Sequence, residues 1–295
     1  PELLFYPRPF WLRFKVLNDE EKPVSFLLEL DKHLFEYVNI YVPGKDGYQV
    51  KRETFTTPLD QREIQHKHFV HRLFANPGET TFYAFVDSWN KQSKESVPLR
   101  IWSENNFVRQ SSDDGILTGI VVGLFLFVFL YNIFIYFSVR DLSYIFLSVV
   151  TLCQLTLEIS SSGIGFKYLW PDVPLLTWPM LYINTSLVMG FNLLFYRSFI
   201  GIYRYTPKLD KLILFVSWLF FGLALAIFIL PRSLFPGMLW FVFSADHFYT
   251  LLVLVPTILA LKNKNRSGIF ALIAIIFYYL GLIKFGLTDT ELIQY

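Results

Sequence analysis

The chain has 295 residues, of which 54% are hydrophobic and 19% aromatic, and its formal net charge at pH 7 is +2. A mean hydropathy of +0.42 and 32 phenylalanines exceed what a wholly soluble globular chain shows. The net charge does not discriminate between classes of partner, but the sequence has no basic stripe interleaved with aromatic residues to support nucleic-acid binding. Residues 1–114 hold 15 basic and 17 acidic residues, whereas residues 115–295 hold 11 basic and seven acidic ones, so the two halves differ in character.

The first half is predicted to be a β-sandwich. In Phe10–Val16, apolar side chains alternate with Arg13 and Lys15, which is the period of a strand with one buried face. Such a sandwich would occupy residues 1–110 as one domain with one core, followed by a short polar linker at 111–114. The further predicted strands, separated by Pro- and Gly-containing turns, are Val24–Leu30, Phe35–Val42, Tyr48–Arg52, His66–Phe74, Thr80–Asp87 and Leu99–Ser103.

Aromatic residues of this domain are candidates for ligand binding, because an aromatic face suits the apolar side of a sugar ring. Tyr48, Trp89 and Asn90 are the predicted ligand-binding residues, the last two in a loop at 88–96. A structural role explains Trp89 equally well. Trp11 and Trp102 lie within predicted strands and are assigned to the core.

Three histidines fall on or beside one predicted strand. His66 and His68 share one face and His71 the other, so we expect that the three do not bind one metal ion from this strand. A solvated strand face is the preferred interpretation, and neither a metal site nor a cofactor is predicted.

The second half is predicted to cross a membrane. Its apolar stretches approach the ~20 residues that a spanning helix needs. The first, third and fifth connections between them carry eight Lys and Arg residues and the second and fourth carry two, which predicts that the odd connections are cytoplasmic and that residues 1–114 lie outside. The six stretches are Gly115–Ser138, Leu142–Ile159, Leu175–Phe195, Leu212–Leu230, Met238–Leu261 and Gly268–Leu287.

Several polar residues lie within these stretches, where ionisable groups are costly and mark functional sites. The predicted transmembrane polar cluster comprises Glu158, Asn184, Asp246, His247 and Lys284, placed at comparable depth in the outer leaflet. The alternative is structural: Glu158 and Lys284 extend to the interface, and Asp246 caps or pairs. A retinal-type lysine is disfavoured, because polar residues near helix ends are usually anchors.

The ends of the chain carry further expectations. Pro1 opens almost directly onto a strand, so a secretory leader is expected to have been removed. Six spans return the chain to its starting side, so a seventh span and any cytoplasmic module are expected beyond Tyr295. A phosphate-binding Gly-rich loop, a Ser-His-Asp arrangement and a carboxylate pair in a soluble cleft are not found in the sequence, so no catalytic residue and no enzymatic activity are predicted for these residues. The only cysteine, Cys153, falls in the second span, so no disulfide is expected in the outer domain.

Particular motifs resemble a known family, the bacterial seven-transmembrane receptors with diverse intracellular signalling modules, over nearly the whole chain. In the outer domain the resemblance rests on Phe10-Trp-Leu-Arg-Phe14, Leu28-Glu-Leu-Asp31, Val38-Asn-Ile-Tyr41 and Phe82-Tyr-Ala-Phe-Val-Asp-Ser88. In the membrane half it rests on Leu130-Tyr-Asn-Ile-Phe134, Ser138-Val-Arg-Asp-Leu-Ser-Tyr144 and Gly163-Ile-Gly-Phe-Lys-Tyr-Leu-Trp-Pro171.

The resemblance implies a jelly-roll outer domain, similar to carbohydrate-binding jelly rolls, in the bacterial cytoplasmic membrane. It implies a ligand sensor whose helices act on a cytoplasmic signalling module such as a kinase, cyclase or phosphatase. Relative to the family pattern, the leading strand of the outer domain, the seventh span and the module are expected to be missing. A homodimer is one option for the assembly, and membrane lipid is an obligatory partner. The alternatives are a transporter or channel that uses the polar cluster as a path, and a membrane adaptor without enzymatic output.

Overall fold

A computed structural model describes residues 2–5, 9–31, 35–44, 46–88, 95–231 and 234–289. The side chains at 2–5, 88, 95–98, 235–236, 238–247 and 282–289 lie outside that description. The chain divides into two compact units, residues 1–123 with 156–181, and residues 124–155 with 182–295. Each unit is described by itself.

Eight strands form two four-stranded antiparallel sheets in the first unit. One sheet has the order β1-β8-β3-β6 and the other the order β2-β7-β4-β5. The strands are β1 Glu2–Phe5, β2 Phe10–Asn18, β3 Val24–Leu30, β4 Phe35–Gly44, β5 Gly47–Thr54, β6 Phe69–Ala75, β7 Gly78–Ser88 and β8 Glu95–Trp102.

The two sheets pack face to face through aromatic side chains. Phe82 of β7 is fully buried, stacks on Phe14 with ring centroids 5.3 Å apart, and meets Phe26 of the other sheet edge-on at 5.6 Å. Phe35 of β4 and Phe69 of β6 also meet across the two sheets, with ring centroids 6.1 Å apart and the rings tilted by 40°. Alternate positions of each strand supply this core, as the period-two pattern predicts.

The seven predicted strands are present, and β3 begins and ends at the predicted residues. β6 begins at Phe69 rather than His66, because His66 and His68 precede the paired register that starts with Leu30 and Phe69. The eighth strand was not predicted. Glu2–Phe5 pairs with β8.

The helices are α1 Glu104–Val139, α2 Leu142–Ser161, α3 Ile164–Tyr168, α4 Thr177–Ile200, α5 Pro207–Ala226, α6 Phe235–Lys262 and α7 Arg266–Asp289. Each predicted apolar stretch falls largely on one long helix of this set. Among the described residues, α1, α2 and α5 are long and apolar enough to cross a membrane, and Phe248–Lys262 and Arg266–Gly281 are shorter apolar helices. α4 is a less apolar helix, since buried Asn184, Thr185 and Ser186 interrupt it.

The predicted linker at 111–114 is instead part of α1, which is continuous from Glu104. Its polar side chains bond within the helix. Gln110 Nε2 donates to Asp114 Oδ1 at 3.0 Å, and Ser112 Oγ donates to the carbonyl of Val108 at 2.9 Å. Polar composition therefore reflects exposure on a helix here and not a break in secondary structure.

In the second unit, α4, α5, α6 and α7 share a core that includes Leu193, Ile213, Val253 and Ala271. A bidentate ion pair joins α4 to α5: Arg197 Nε and Nη2 lie 2.6 and 3.1 Å from the carboxylate oxygens of Asp210. Both residues belong to the third connection, which carries the largest group of basic residues in this half of the sequence.

Candidate functional site

The outward face of the β2-β7-β4-β5 sheet carries a row of aromatic side chains. Leu12, Phe82 and Ile40 point into the core, so the neighbouring positions on each strand point out of it. The rings form two contacting groups: Trp11 lies 5.0 Å from Tyr41 and 5.3 Å from Phe85, and Tyr48 lies 5.3 Å from Tyr83. Tyr37 continues the row on β4. We call Trp11, Tyr37, Tyr41, Tyr48, Tyr83 and Phe85 the aromatic face.

The aromatic face is accessible to a ligand. Trp11 is 58% exposed, Tyr48 48% and Tyr37 46%. Strand register places Arg13 beside Tyr83, and Asn39 between Phe85 and Arg52, on the same face. Rings that expose flat surfaces beside amide and guanidinium donors suit a sugar, which presents both an apolar ring face and hydroxyl groups.

The sequence predictions for ligand binding have different outcomes. Tyr48 lies exposed on this face, and its binding role stays a prediction. Trp89 and Asn90 lie outside the described residues. The assignment of Trp11 to the core is wrong, because Trp11 shares its strand parity with Arg13 and Lys15, which face outward. Trp102 is half-buried and donates to Glu29 Oε2 at 2.7 Å.

A second feature is a buried group of carboxylates and histidines at the end of β3. Nδ1 of His68 lies 2.7 Å from Glu29 Oε1 and 2.9 Å from Asp31 Oδ1, and Nδ1 of His66 lies 3.9 Å from Glu29 Oε1. The pKa of His68 is raised because the hydrogen bonds and charges of the two carboxylates outweigh its burial. Burial lowers the pKa of His66 to about 3, with a further contribution from His68.

A third feature is a buried group of charged and polar side chains beside β5 and β6. Arg62, whose side chain is 1% exposed, places Nε 3.0 Å from Glu53 Oε1, and Glu53 Oε2 lies 3.5 Å from Nε2 of His71. Burial raises the pKa of Glu53 to about 7, against the opposing effect of Arg62. Burial also lowers the pKa of His71 to about 4.

The prediction of a solvated histidine face is therefore wrong. His66, His68 and His71 are 6%, 9% and 3% exposed. β3 is buried on both faces, with Leu27 and Glu29 covered as well as Leu28 and Leu30. The prediction from alternation took one face of this sheet to be exposed to solvent. The segment before β6 and the start of α1 cover that face, and the rings of His66 and Phe107 lie 5.0 Å apart there.

The guanidinium of Arg62 also connects the sandwich to the connection between α2 and α4. It lies between two aromatic rings, 4.7 Å from the centroid of Phe69 in β6 and 4.5 Å from that of Phe166 in α3. The backbone N–H of Leu59 donates to the carbonyl of Pro171 at 3.4 Å. We call this group of residues, Leu59, Arg62, Phe69, Phe166 and Pro171, the relay contact.

Two glycines shape the α3 side of the relay contact. Gly163 has a φ of +75° at the residue before α3, a left-handed conformation that glycine adopts without steric cost. A Cβ on Gly165 would lie 2.2 Å from the ring of Trp170, so glycine is required for this ring to fold over the turn. Trp170 Nε1 then donates to Thr177 Oγ1 at 3.0 Å. The loop motif noted in the sequence thus positions Phe166 against Arg62.

The depressed pKa of His71 gives a testable pH dependence. A histidine with a native pKa near 4 and an unfolded pKa near 6.5 stabilises the fold above pH 6.5 and loses that contribution as pH falls towards 4. At about 1.4 kcal/mol per pH unit the loss reaches about 3 kcal/mol. We expect His71→Gln to be destabilised relative to wild type at pH 7 and to recover against it at pH 4.5, measured as the difference in melting temperature by tryptophan fluorescence.

Glu53→Gln is a control for which the stability difference from wild type is expected to change with pH in the opposite direction. Because the pKa of Glu53 is raised to about 7, wild type gains stability from this group as pH falls from 7 to 4.5, and the variant lacks that gain. A difference between wild type and His71→Gln that does not change with pH would contradict the assignment.

The predicted transmembrane polar cluster is only partly described. Glu158 is exposed near the end of α2, and Asn184 is buried on α4. Asp246 and His247 lie on α6 and Lys284 on α7, with side chains outside the description. Whether these residues form one group stays a prediction. Sequence reasoning did not identify Arg62, Glu53 or Glu29. A signal was available for Glu29, a charged residue within the otherwise apolar strand β3, whereas Glu53 and Arg62 lie in polar segments that do not distinguish them.

Comparison with known proteins assigns both parts of the chain. The family model described as 7TM diverse intracellular signalling matches residues 114–295, and the model described as 7TMR-DISM extracellular 2 matches residues 1–103. A search of curated proteins and a search of solved structures each found no match. The matched ranges join an extracellular domain to a multi-pass membrane region. The chain therefore belongs to the family of seven-transmembrane receptors with diverse intracellular signalling, as a membrane protein with an extracellular N-terminal domain.

Proposed function

We propose that this receptor senses a carbohydrate on the aromatic face of its outer domain and relays binding through its helices to a cytoplasmic signalling module. The aromatic face is the observation that carries the proposal. Exposed aromatic rings grouped on one face are not needed to form the core of this domain, and a ligand that stacks on them would explain their exposure. The strand order also supports a jelly roll, the architecture that the resemblance implies.

The relay contact supports a physical route out of the sandwich. Arg62 contacts Glu53 of β5 and Phe69 of β6, and the same guanidinium contacts Phe166 in the connection between two membrane helices. A ligand that stabilises one arrangement of β5 can therefore change the position of α3 through the contacts of Arg62. The ligand shifts the receptor between two states only by the difference in its affinity for them.

The proposed membrane arrangement of these residues has six spans, formed by α1, α2, α4, α5, α6 and α7. The charge bias of the connections supports cytoplasmic odd loops and an outer sandwich. We place the receptor in a bacterial cytoplasmic membrane and assign any catalytic output to the signalling module. Glu158, Asn184, Asp246, His247 and Lys284 are proposed to change partners between the two states.

Glycan binding tests the proposal. The full chain in nanodiscs is applied to an array of bacterial and plant oligosaccharides, and we expect binding that Tyr48→Ala and Trp11→Ala each weaken by about tenfold, which corresponds to about 1.4 kcal/mol per lost stacking contact. Phe74→Ala is the matched control, because Phe74 is 55% exposed but lies on the other sheet. Binding that all three variants retain would move the ligand site elsewhere, and uptake of a bound sugar into vesicles would favour a transporter.

A further inference from the structure

The buried group at the end of β3 contains the ligand set of a metal site. Among the described residues, Glu29, His66 and His68 each offer one ligand atom, and these atoms lie within 4.8 Å of one another. Ligands of a tetrahedral zinc ion, each about 2.0–2.1 Å from the metal, lie about 3.3 Å apart. Nδ1 of His68 and Nδ1 of His66 lie 2.7 and 3.9 Å from Glu29 Oε1, one below and one above that value. The backbone N–H of His68 donates to Nδ1 of His66 at 3.2 Å, so an ion bound through this nitrogen replaces that hydrogen bond.

The chemistry of the group favours a borderline transition metal over calcium or magnesium. Two imidazoles and one carboxylate form the protein ligand set of many zinc sites, whereas calcium and magnesium take oxygen ligands. Asp31 Oδ1, 2.9 Å from His68 Nδ1, is placed to serve as a fourth ligand.

Neighbouring groups both support and oppose a cation. Trp102 holds the second oxygen of Glu29 at 2.7 Å, and Arg100 Nη2 holds the second oxygen of Asp31 at 2.7 Å, so both carboxylates are oriented by partners of their own. A cavity of about 80 Å³ borders His66. Lys67 and Lys167 also line this cavity, and their positive charges lower the affinity of the site for any cation. The cavity has room for an anion or a water molecule as a further ligand of the metal.

We propose that Glu29, His66 and His68 bind one Zn²⁺ ion in the outer domain, with Asp31 placed to become a fourth ligand. The ion takes the place of the hydrogen bonds that join His68 Nδ1 to the two carboxylates, and the proton of those hydrogen bonds leaves to solvent. The site adjoins α1, since the ring of His66 lies 5.0 Å from that of Phe107. Zinc therefore fixes the end of β3, the segment before β6 and the first turn of α1 against one another. The site is separate from the aromatic face, so the receptor would respond to a metal ion as well as to a sugar.

Zinc titration of the full chain in nanodiscs tests the proposal. Isothermal titration calorimetry at pH 7.5 is expected to give one ion per chain for wild type, and an affinity at least tenfold weaker for His66→Gln and for Glu29→Gln. His71→Gln is the matched control: it removes a histidine as buried as the other two from the same segment, but His71 faces Glu53 and not this group. The control is expected to bind zinc as wild type does.

Co²⁺ in place of zinc provides a readout that needs no variant. A four-coordinate site of nitrogen and oxygen ligands gives Co²⁺ an intense visible absorption, which zinc then abolishes by displacement. The pale spectrum of the hydrated ion, together with no heat on zinc addition at high micromolar concentration, would overturn the proposal. Equal affinities for wild type, His66→Gln and Glu29→Gln would also overturn it, because binding would then occur at other residues.

Discussion

At pH 9, above the pKa of about 7 that burial gives Glu53, replacing Arg62 by methionine is expected to lower the free energy of unfolding of the outer domain by about 3–5 kcal/mol, the cost of leaving one partner of a buried ion pair behind. Arg62 and Glu53 are 1% and 6% exposed, and no solvent reaches the pair to compensate. The change also removes the cation between the rings of Phe69 and Phe166. Thermal unfolding of the purified chain measures the first effect, and hydrogen exchange of peptides covering residues 163–171 measures the second.

Two further variants separate the charge from the contact. Arg62→Met combined with Glu53→Gln leaves no buried charge unpaired, so most of the stability is expected to return while the exchange of residues 163–171 stays fast. Lys15→Met breaks an ion pair of similar length, 2.7 Å to Glu79, whose partners are 46% and 55% exposed, and is expected to cost less than about 1 kcal/mol. Equal costs for Arg62→Met and Lys15→Met would show that burial of Arg62 does not carry the effect.

Gly165→Ala is expected to destabilise the outer unit by about 1–3 kcal/mol, the usual range for overpacking. The new methyl group would stand 2.2 Å from the ring of Trp170, and because this ring is held by its hydrogen bond to Thr177, α3 has to shift instead. Displacement of α3 moves Phe166 away from Arg62, so hydrogen exchange in β5 and β6 is expected to rise together with that of the loop.

Gly119→Ala is the control for a glycine replaced within a helix. A Cβ at Gly119 on α1 meets nothing within 4 Å, so the change is expected to be neutral or to stabilise by up to about 1 kcal/mol through helix propensity. If Gly165→Ala behaves in the same way, Trp170 is free to move and the loop does not position Phe166.

The strands were predictable because most of them alternate, and the exceptions are instructive. β2 reads as apolar and polar in turn, and its boundaries follow within two residues. β1 is only four residues long and gains its identity from pairing with β8, which lies over ninety residues away in the chain. Trp11 was assigned to the core from its residue type, although its parity with Arg13 already placed it outside. Parity was the better evidence, since an aromatic ring is used on binding faces as often as it is used in cores.

The buried polar groups could not be predicted, because each is assembled from elements that are distant in the sequence. His66 and His68 were considered as ligands on their own strand, while Glu29 comes from β3, and the register between β3 and β6 is not encoded in either segment alone. Arg62 and Phe166 are separated by the whole of α1 and α2. The sequence did identify the loop Gly163–Pro171 as an unusual motif. It did not show that this motif places the ring of Phe166 against the guanidinium of Arg62.

The unbroken course of α1 constrains how such receptors are recombined. Its 36 residues extend for roughly 54 Å at 1.5 Å per residue, from the last strand of the outer domain through the apolar segment without a loop. Each residue inserted at 111–114 would turn everything beyond it by about 100°. A chimaera that joins this outer domain to another membrane region therefore has to keep a whole number of helical turns between the two parts. The polar tetrapeptide at 111–114 resembles a flexible junction, but its length determines the rotation of one part of α1 relative to the other.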